Sequence, residues 1–185
     1  MTAPVRLVGL SGGVGTPSST TAVLAAVLDA AAAQLTERGL TVTTEVVEVR
    51  DVARDATDEV LGGLRSNALD AALRTIEDAD GLVVASPVFR GSYAGVFKTV
   101  LDLLEPGSLR MTPTVLAATT GTVRHTLVTE HAMRPLLSYL GALTLPTTIV
   151  ATPEDLVLGV RPVPALAERV ARSARELADA VGHGR

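Results

Sequence analysis

The residues of this sequence that could do chemistry are hydroxyls, glycines and a few aromatics, and they gather in three short segments. The first is Ser11-Gly-Gly-Val-Gly-Thr-Pro-Ser-Ser-Thr-Thr21. Glycines let backbone N–H groups approach a ligand, hydroxyls donate, and a helix beginning at such a loop adds partial positive charge. That is the make-up of an anion cradle, and it equally fits a capped turn between a strand and a helix. It is not a P-loop, which would need a lysine here; the only lysine is Lys98, beside fifteen arginines. The glycine spacing of G-x-G-x-x-G is also absent. The second segment, Pro87 to Gly95, holds Phe89 and Tyr93, two of only four aromatics, the others being Phe97 and Tyr139. Arg90 there can offer charge and hydrogen bonds to an anionic ring system. The spacing of Phe89, Tyr93 and Phe97 also suits a helical packing stripe, and Phe97 reads as core. The third segment, Thr120-Gly121-Thr122, offers a backbone donor at Gly121, while Thr122 could instead cap the next helix. Together the three suit a ligand with a phosphate, a polyol and a flat ring.

Much other chemistry is excluded. With no cysteine there are no disulfides, thiolate nucleophiles, Cys-bound zinc or iron–sulfur clusters. His125, His131 and His183 lack the spacing of HExxH. A net charge of −4 and a pI near 5.4 give no basic field for nucleic acid. The longest apolar stretch, 21–35, contains Asp29 and Gln34 and reads as too short and too polar for a membrane span. The N-terminal residues lack the pattern of a secretory signal. The expectation is a soluble cytoplasmic protein, and 185 residues suit one domain over 1–185.

The elements that must position these segments follow from periodicity and punctuation. Strands are expected at 5–10, 41–49, 81–86, 114–120 and 143–150, the third stopping at Pro87 and the last interrupted at Pro146. Helices are expected at 20–38, 67–79, 95–104, 124–140 (bent near Pro135) and 164–181. The charged run 50–63 reads as a loop. Strict alternation of strand and helix means a parallel sheet covered on both faces, and the flavodoxin-like order 2-1-3-4-5 is expected of its five strands. Ligands of such sheets bind beyond the carboxyl ends of the strands, where all three segments lie.

With the motifs in place, the chain resembles the NAD(P)H-dependent FMN reductase family. Within it, the likeness is greatest to reductases that feed two-component flavin monooxygenases, such as alkanesulfonate FMN reductase. Ser11 with Thr16, Ser18, Ser19 and Thr20 resembles the family's serine-rich phosphate loop. Residues 86–98, Ser-Pro-Val-Phe-Arg-Gly-Ser-Tyr-Ala-Gly-Val-Phe-Lys, are similar to its S/T-P-x-Y-x-x-S-x-x-G-x-x-K motif, the more specific match. Thr120-Gly121-Thr122 and the following 125–137 resemble its glycine-pair segment and next helix.

The resemblance implies that Ser11, Ser18, Ser19 and Thr20 bind the FMN phosphate, with Thr16 joining them. Pro87, Val88, Phe89, Arg90, Gly91 and Ser92 would border the isoalloxazine and ribityl chain, and Thr120, Gly121 and Thr122 would close the other side of the ring. The family often carries an arginine two residues after the first serine, where this chain has Gly13. The implied reaction is hydride transfer from NADH or NADPH to FMN, which names no catalytic side chain. The implied partner is a monooxygenase that receives reduced FMN. A reductase of quinones, azo dyes or metal ions with tightly held flavin, and a flavodoxin-like electron carrier, are the competing readings. The apolar content of 131–140 and 96–104, with the likeness, points to a homodimer or homotetramer.

Overall fold

A computed structural model describes residues 3–183. Its centre is a parallel sheet in which β1 (Val5–Ser11) lies between β2 (Val42–Glu48) and β3 (Gly81–Phe89), and β5 (Pro113–Thr119) follows β3. Two short pieces, β6 (Leu143–Thr144) and β7 (Ile149–Ala151), both pair with β5 and together make the fifth strand. The expected order 2-1-3-4-5 is therefore present. One addition is β4 (Ser92–Tyr93), which folds back antiparallel on the end of β3. That hairpin carries β3 through Pro87 to Phe89, three residues beyond the expected stop.

Alternation along the strands sorts two cores. Val5, Leu7, Val83, Ala85, Val115 and Ala117 face α1 (Ser19–Glu37) and α6 (Pro164–His183). Val8, Leu10, Leu82, Val84, Leu116 and Ala118 face the opposite layer. That layer contains α2 (Val49–Val60), α3 (Asn67–Glu77), α4 (Gly95–Leu101) and α5 (Arg134–Tyr139). A strand buried on both faces must be apolar at nearly every position, which is why β1, β3 and β5 read as continuous runs. Helix α1 has the length and apolarity to cross a membrane. Here Val23, Leu24, Val27, Leu28, Ala31 and Leu35 are instead buried against the sheet and α6. It approaches closely at Gly9, where a Cβ would sit 2.4 Å from Leu24 Cδ2.

Three segments depart from expectation. Residues 50–63 are not a loop: α2 covers most of them, buried only at Val49, Val52 and Ala56, so a narrow apolar stripe lies under a charged exterior. The helix expected over 124–140 is broken into a 3₁₀ turn at Val123–His125, a π-helical turn at Thr129–Met133 and α5. Pro135 lacks an N–H and crowds the carbonyl four residues back, at His131, inside the widened turn. The third departure is a small hairpin, β8 (Leu156–Val157) with β9 (Arg161–Pro162), which has no counterpart among the expected elements.

Side chains complete the broken fifth strand. Arg134 Nη1 donates to the carbonyls of Thr144 and Leu145 at 3.3 and 3.2 Å. Arg169 Nε donates to Thr148 O at 2.6 Å, and Thr147 N donates to Glu176 Oε2 at 2.9 Å. These groups would otherwise lack the ladder partners that Pro146 interrupts.

Candidate functional site

Parallel register brings the loops together. Ser11 is paired with both Glu48 and Ala85, and Pro87 with Thr119, so the loops after β1, β3 and β5 leave the sheet at one edge. A cavity of about 350 Å³ opens there. Ser19, Pro87, Val88, Phe89, Thr120 and Gly121 line it, all named from sequence. Thr119, Ala151, Thr152, Pro153, Leu156 and Gly159 complete the wall. The lining is mostly apolar with a few polar atoms, as small-molecule sites usually are.

The hydroxyls of the first loop divide by their partners. Ser18 is the N-cap of α1, its side chain accepting from Thr21 N at 3.1 Å. Ser19 Oγ donates to Gly159 O at 2.5 Å and so ties the β8–β9 hairpin to the start of α1. Ser11 and Thr20 lie deeper than a ligand-facing role would put them. Ser11 is fully buried, its Oγ 2.8 Å from Thr21 Oγ1 and accepting from Gly13 N at 3.2 Å. Thr20 is 3% exposed and its Oγ1 is 2.6 Å from Thr119 Oγ1, pinning α1 to β5. Thr16 is on the exposed rim, where the Thr16–Pro17 peptide is cis. Gly13 has no space for a side chain: a Cβ there would be 2.1 Å from Ser18 Oγ.

In the second loop, Arg90 and Gly91 form the two-residue turn between β3 and β4, with φ of +52° and +86°. Such turns require positive φ at both positions, where Asn-Gly is usual and arginine is strained. Ser92 pairs with Phe89 across the turn. Ser86, buried beneath, accepts from Ala94 N at 2.9 Å and fixes the loop to the start of α4. Of the aromatics, Phe97 is core, Tyr93 packs on it with ring centroids 6.0 Å apart, and Phe89 stands at the cavity mouth, 48% exposed. In the third loop Thr120 Oγ1 donates to Thr122 O at 3.1 Å, and Thr122 caps the 3₁₀ turn by accepting from Arg124 N. A second hollow of about 290 Å³ lies beyond Gly91, between Arg124, His125, Leu127 and His131.

Two features escaped sequence reasoning. The segment after the fifth strand, 152–159, supplies part of the wall; its signal was Thr152-Pro-Glu-Asp155, a capping-box pattern that the structure realises. The other is Arg50, whose Nη1 donates to Gly15 O at 2.5 Å and Thr16 Oγ1 at 2.7 Å. Because β2 neighbours β1, residues just after β2 must border the β1 loop, and the expected strand order already implied this.

Comparison with known proteins gives a consistent result. The sequence profile described as NADPH-dependent FMN reductase matches residues 5–156. The NADH-dependent FMN reductase SfnE of Pseudomonas putida is 40% identical over 156 residues, 84% of this chain and 81% of that protein. An FMN reductase (NADPH) of Pseudomonas aeruginosa is 41% identical over 155 residues, with the same coverage, 84% and 81%. Among solved structures, an oxidoreductase from Corynebacterium diphtheriae superposes with a TM-score of 0.90 at 34% identity, covering 98% of this chain and 99% of that one.

Proposed function

The chain belongs to the NADPH-dependent FMN reductase family, a group of flavin-dependent oxidoreductases, and from that premise we propose that it reduces FMN and hands the reduced flavin to a partner monooxygenase. The observation that carries this reading is the adjacency, at one sheet edge, of a hydroxyl- and glycine-lined helix N-terminus with an apolar slot. The donor set fits FMN in two ways. Gly13 keeps the loop backbone close to Ser18, as a phosphate cradle requires, and Pro87, Val88, Phe89, Ala151 and Leu156 supply flat apolar surface for a ring.

When bound, FMN supplies the hydride-accepting chemistry. The protein's part is binding and orientation. Ser18, Ser19, Thr16 and the N–H groups that open α1 hold the phosphate, favoured by the helix dipole. Ser11 and Thr20 are ties within the scaffold: Ser11 Oγ meets Thr21 Oγ1 of α1, and Thr20 Oγ1 meets Thr119 Oγ1 of β5. The 87–92 hairpin, with Arg90 in its turn, and Thr120-Gly121 would border the ring and keep water from it. The open mouth at Phe89 leaves a route for flavin to leave, which suits a reductase whose product is consumed elsewhere. As expected from sequence, we place the protein in the cytoplasm, as one domain.

The assembly is proposed as a homodimer or homotetramer. Met133, Leu137 and Leu140 are core residues, as are Phe97, Val100 and Leu101, so of the apolar surplus expected over 131–140 and 96–104 Tyr139 stays exposed, by 75%, and Val123 and Leu127, just before those residues, add exposed apolar surface. Such patches usually mark interfaces, and this one borders the hollow beside Gly91. Light scattering at micromolar concentration should return a multiple of 19.1 kDa; the monomer mass refutes this part.

The relatives named above include one named for NADH and one named for NADPH, at nearly equal identity. The test of function is therefore steady-state oxidation of both nicotinamides, with FMN, FAD and riboflavin as acceptors. Desalting of flavin-loaded protein accompanies it. Turnover of free FMN and loss of flavin on the column are expected. Retained flavin without turnover of added FMN would overturn the delivery role.

A further inference from the structure

We propose that Arg50, at the start of α2, is the cation of the phosphate subsite in the β1–α1 loop. The inference rests on the FMN reading above and adds a residue to it. Segment 11–21 contains no basic residue, so nothing within it can balance a phosphate dianion. Position 13 cannot supply one, since a side chain there would collide with Ser18 Oγ. Arg50 reaches the loop from the neighbouring strand's end. The pairing Ser11↔Glu48 puts residue 50 beside the loop that follows β1.

Among the described residues, Arg50 is the basic side chain hydrogen-bonded to this loop. Its Nη1 is committed to Gly15 O and Thr16 Oγ1, and Nη2 lies 3.5 Å from Glu48 Oε1. Nε is 4.0 Å from Asp51, too far for a hydrogen bond. A guanidinium has five N–H donors. The two loop bonds fix its plane on the rim and leave donors for an anion. The side chain is 30% exposed, so the charge is partly desolvated but reachable.

Glu48 is the opposing group. Its side chain is 15% exposed and its Oε2 accepts from Thr21 Oγ1 at 3.2 Å, which places a carboxylate behind the same loop. That carboxylate disfavours a phosphate, and Arg50 offsets it. Two opposite shifts follow from one arrangement. Removing the arginine weakens binding of the phosphorylated flavin, and neutralising the glutamate strengthens it.

The experiment measures FMN and riboflavin dissociation constants by quenching of flavin fluorescence, for the wild type, Arg50→Ala, Arg50→Lys and Glu48→Gln. For Arg50→Ala the FMN constant should rise about tenfold or more while that of riboflavin changes less than about twofold, as for loss of a charge-assisted hydrogen bond. Arg50→Lys should recover part of the loss, since it keeps the charge but not the fork. Glu48→Gln should tighten FMN and leave riboflavin unchanged. Wild-type FMN affinity should fall with added salt more steeply than that of Arg50→Ala. Equal losses for both flavins would make Arg50 a loop brace and overturn the proposal, as would an Arg50→Ala protein that keeps its preference for FMN. A wild type that binds FMN no better than riboflavin would instead overturn the FMN reading itself. If Arg50→Ala does not fold, Glu48→Gln decides: no tightening of FMN refutes the proposal.

Discussion

Replacing Gly13 with alanine should destabilise the protein through one neighbour, Ser18. The new Cβ would stand 2.1 Å from Ser18 Oγ, well inside van der Waals contact, and 3.2 Å from both Ser18 Cβ and Ser11 Oγ. The two longer approaches can be relieved by shifts of a few tenths of an ångström. The shortest cannot: the hydroxyl must swing away, and Thr21 N then loses the acceptor it holds at 3.1 Å. Loss of an N-cap costs about 1 kcal/mol, within a range of roughly 0.5–2. For a domain of this size that corresponds to a fall in Tm of about 2–4 °C per kcal/mol. The assay is a melting series on Gly13→Ala, Ser18→Ala and the double variant. Because Ser18→Ala removes the atom that the added methyl strikes, the double variant should melt close to Ser18→Ala alone, a coupling of about 1 kcal/mol. FMN affinity should fall in both single variants, while riboflavin is little changed. A Gly13→Ala protein as stable as the wild type, or strictly additive melting shifts, would refute this account of the loop.

Thr20→Val should lower stability by about 1 kcal/mol, the usual worth of a hydrogen bond, by cutting the tie to Thr119; FMN affinity should hold, and a large selective loss of FMN would return Thr20 to the ligand. Arg90→Gly should raise Tm, since glycine adopts the +52° φ without the strain of about 1 kcal/mol that a side chain carries there, yet impair flavin binding or turnover; unchanged kinetics would remove Arg90 from the site. For Glu130, the hydrogen bond from Arg134 lowers the carboxyl pKa below its ordinary 4.5, with Nε and Nη2 at 2.7 and 3.0 Å. A depressed carboxyl stabilises above its unfolded pKa and loses that contribution as pH falls through the folded value. The Tm advantage of wild type over Glu130→Gln should therefore be present at neutral pH and be lost in acid, as pH falls below the ordinary carboxylate range and through the lowered folded value; an advantage that grows in acid would contradict the assignment.

The elements that sequence made legible are those with an unbroken apolar run, a β-branched alternation or a clear helical stripe. β1, β3 and β5 are apolar at nearly every position, and α3 and α6 carry apolar residues at helical spacing, so order and layering followed. Helix α2 was hidden because only Val49, Val52 and Ala56 are buried among many charges. A bend in 124–140 was legible from Pro135, but the separation into a 3₁₀ turn, a π-helical turn and α5 was not, since residues 124–140 carry no glycine or other stop before Pro135. The site shows the same division. The loops that converge could be named from strand ends alone, and six of the fourteen residues named line the main cavity. The orientation of each hydroxyl could not, since Ser11 and Thr20 turn toward Thr21 and Thr119, partners chosen by packing. Arg50 was overlooked for a plainer reason: its segment read as a charged loop, and the end of the second strand was not among the three segments considered.

The side-chain completion of the fifth strand bears on how the protein behaves in a crowded solution. A bare sheet edge is a template on which another chain can add a strand, the first step of many aggregates. On one border of this sheet, Arg134, Arg169 and Glu176 already occupy four backbone groups at and between the two pieces of the fifth strand, which interrupts that template. The other border, β2, runs unbroken over seven residues with Glu45 at its middle. Inward or edge charge of this kind resists pairing between identical chains, because each added strand would bring its own carboxylate alongside. Truncating Arg169 would thus expose a carbonyl at a guarded border, and its cost would appear as turbidity on concentration before it appeared in a melting curve.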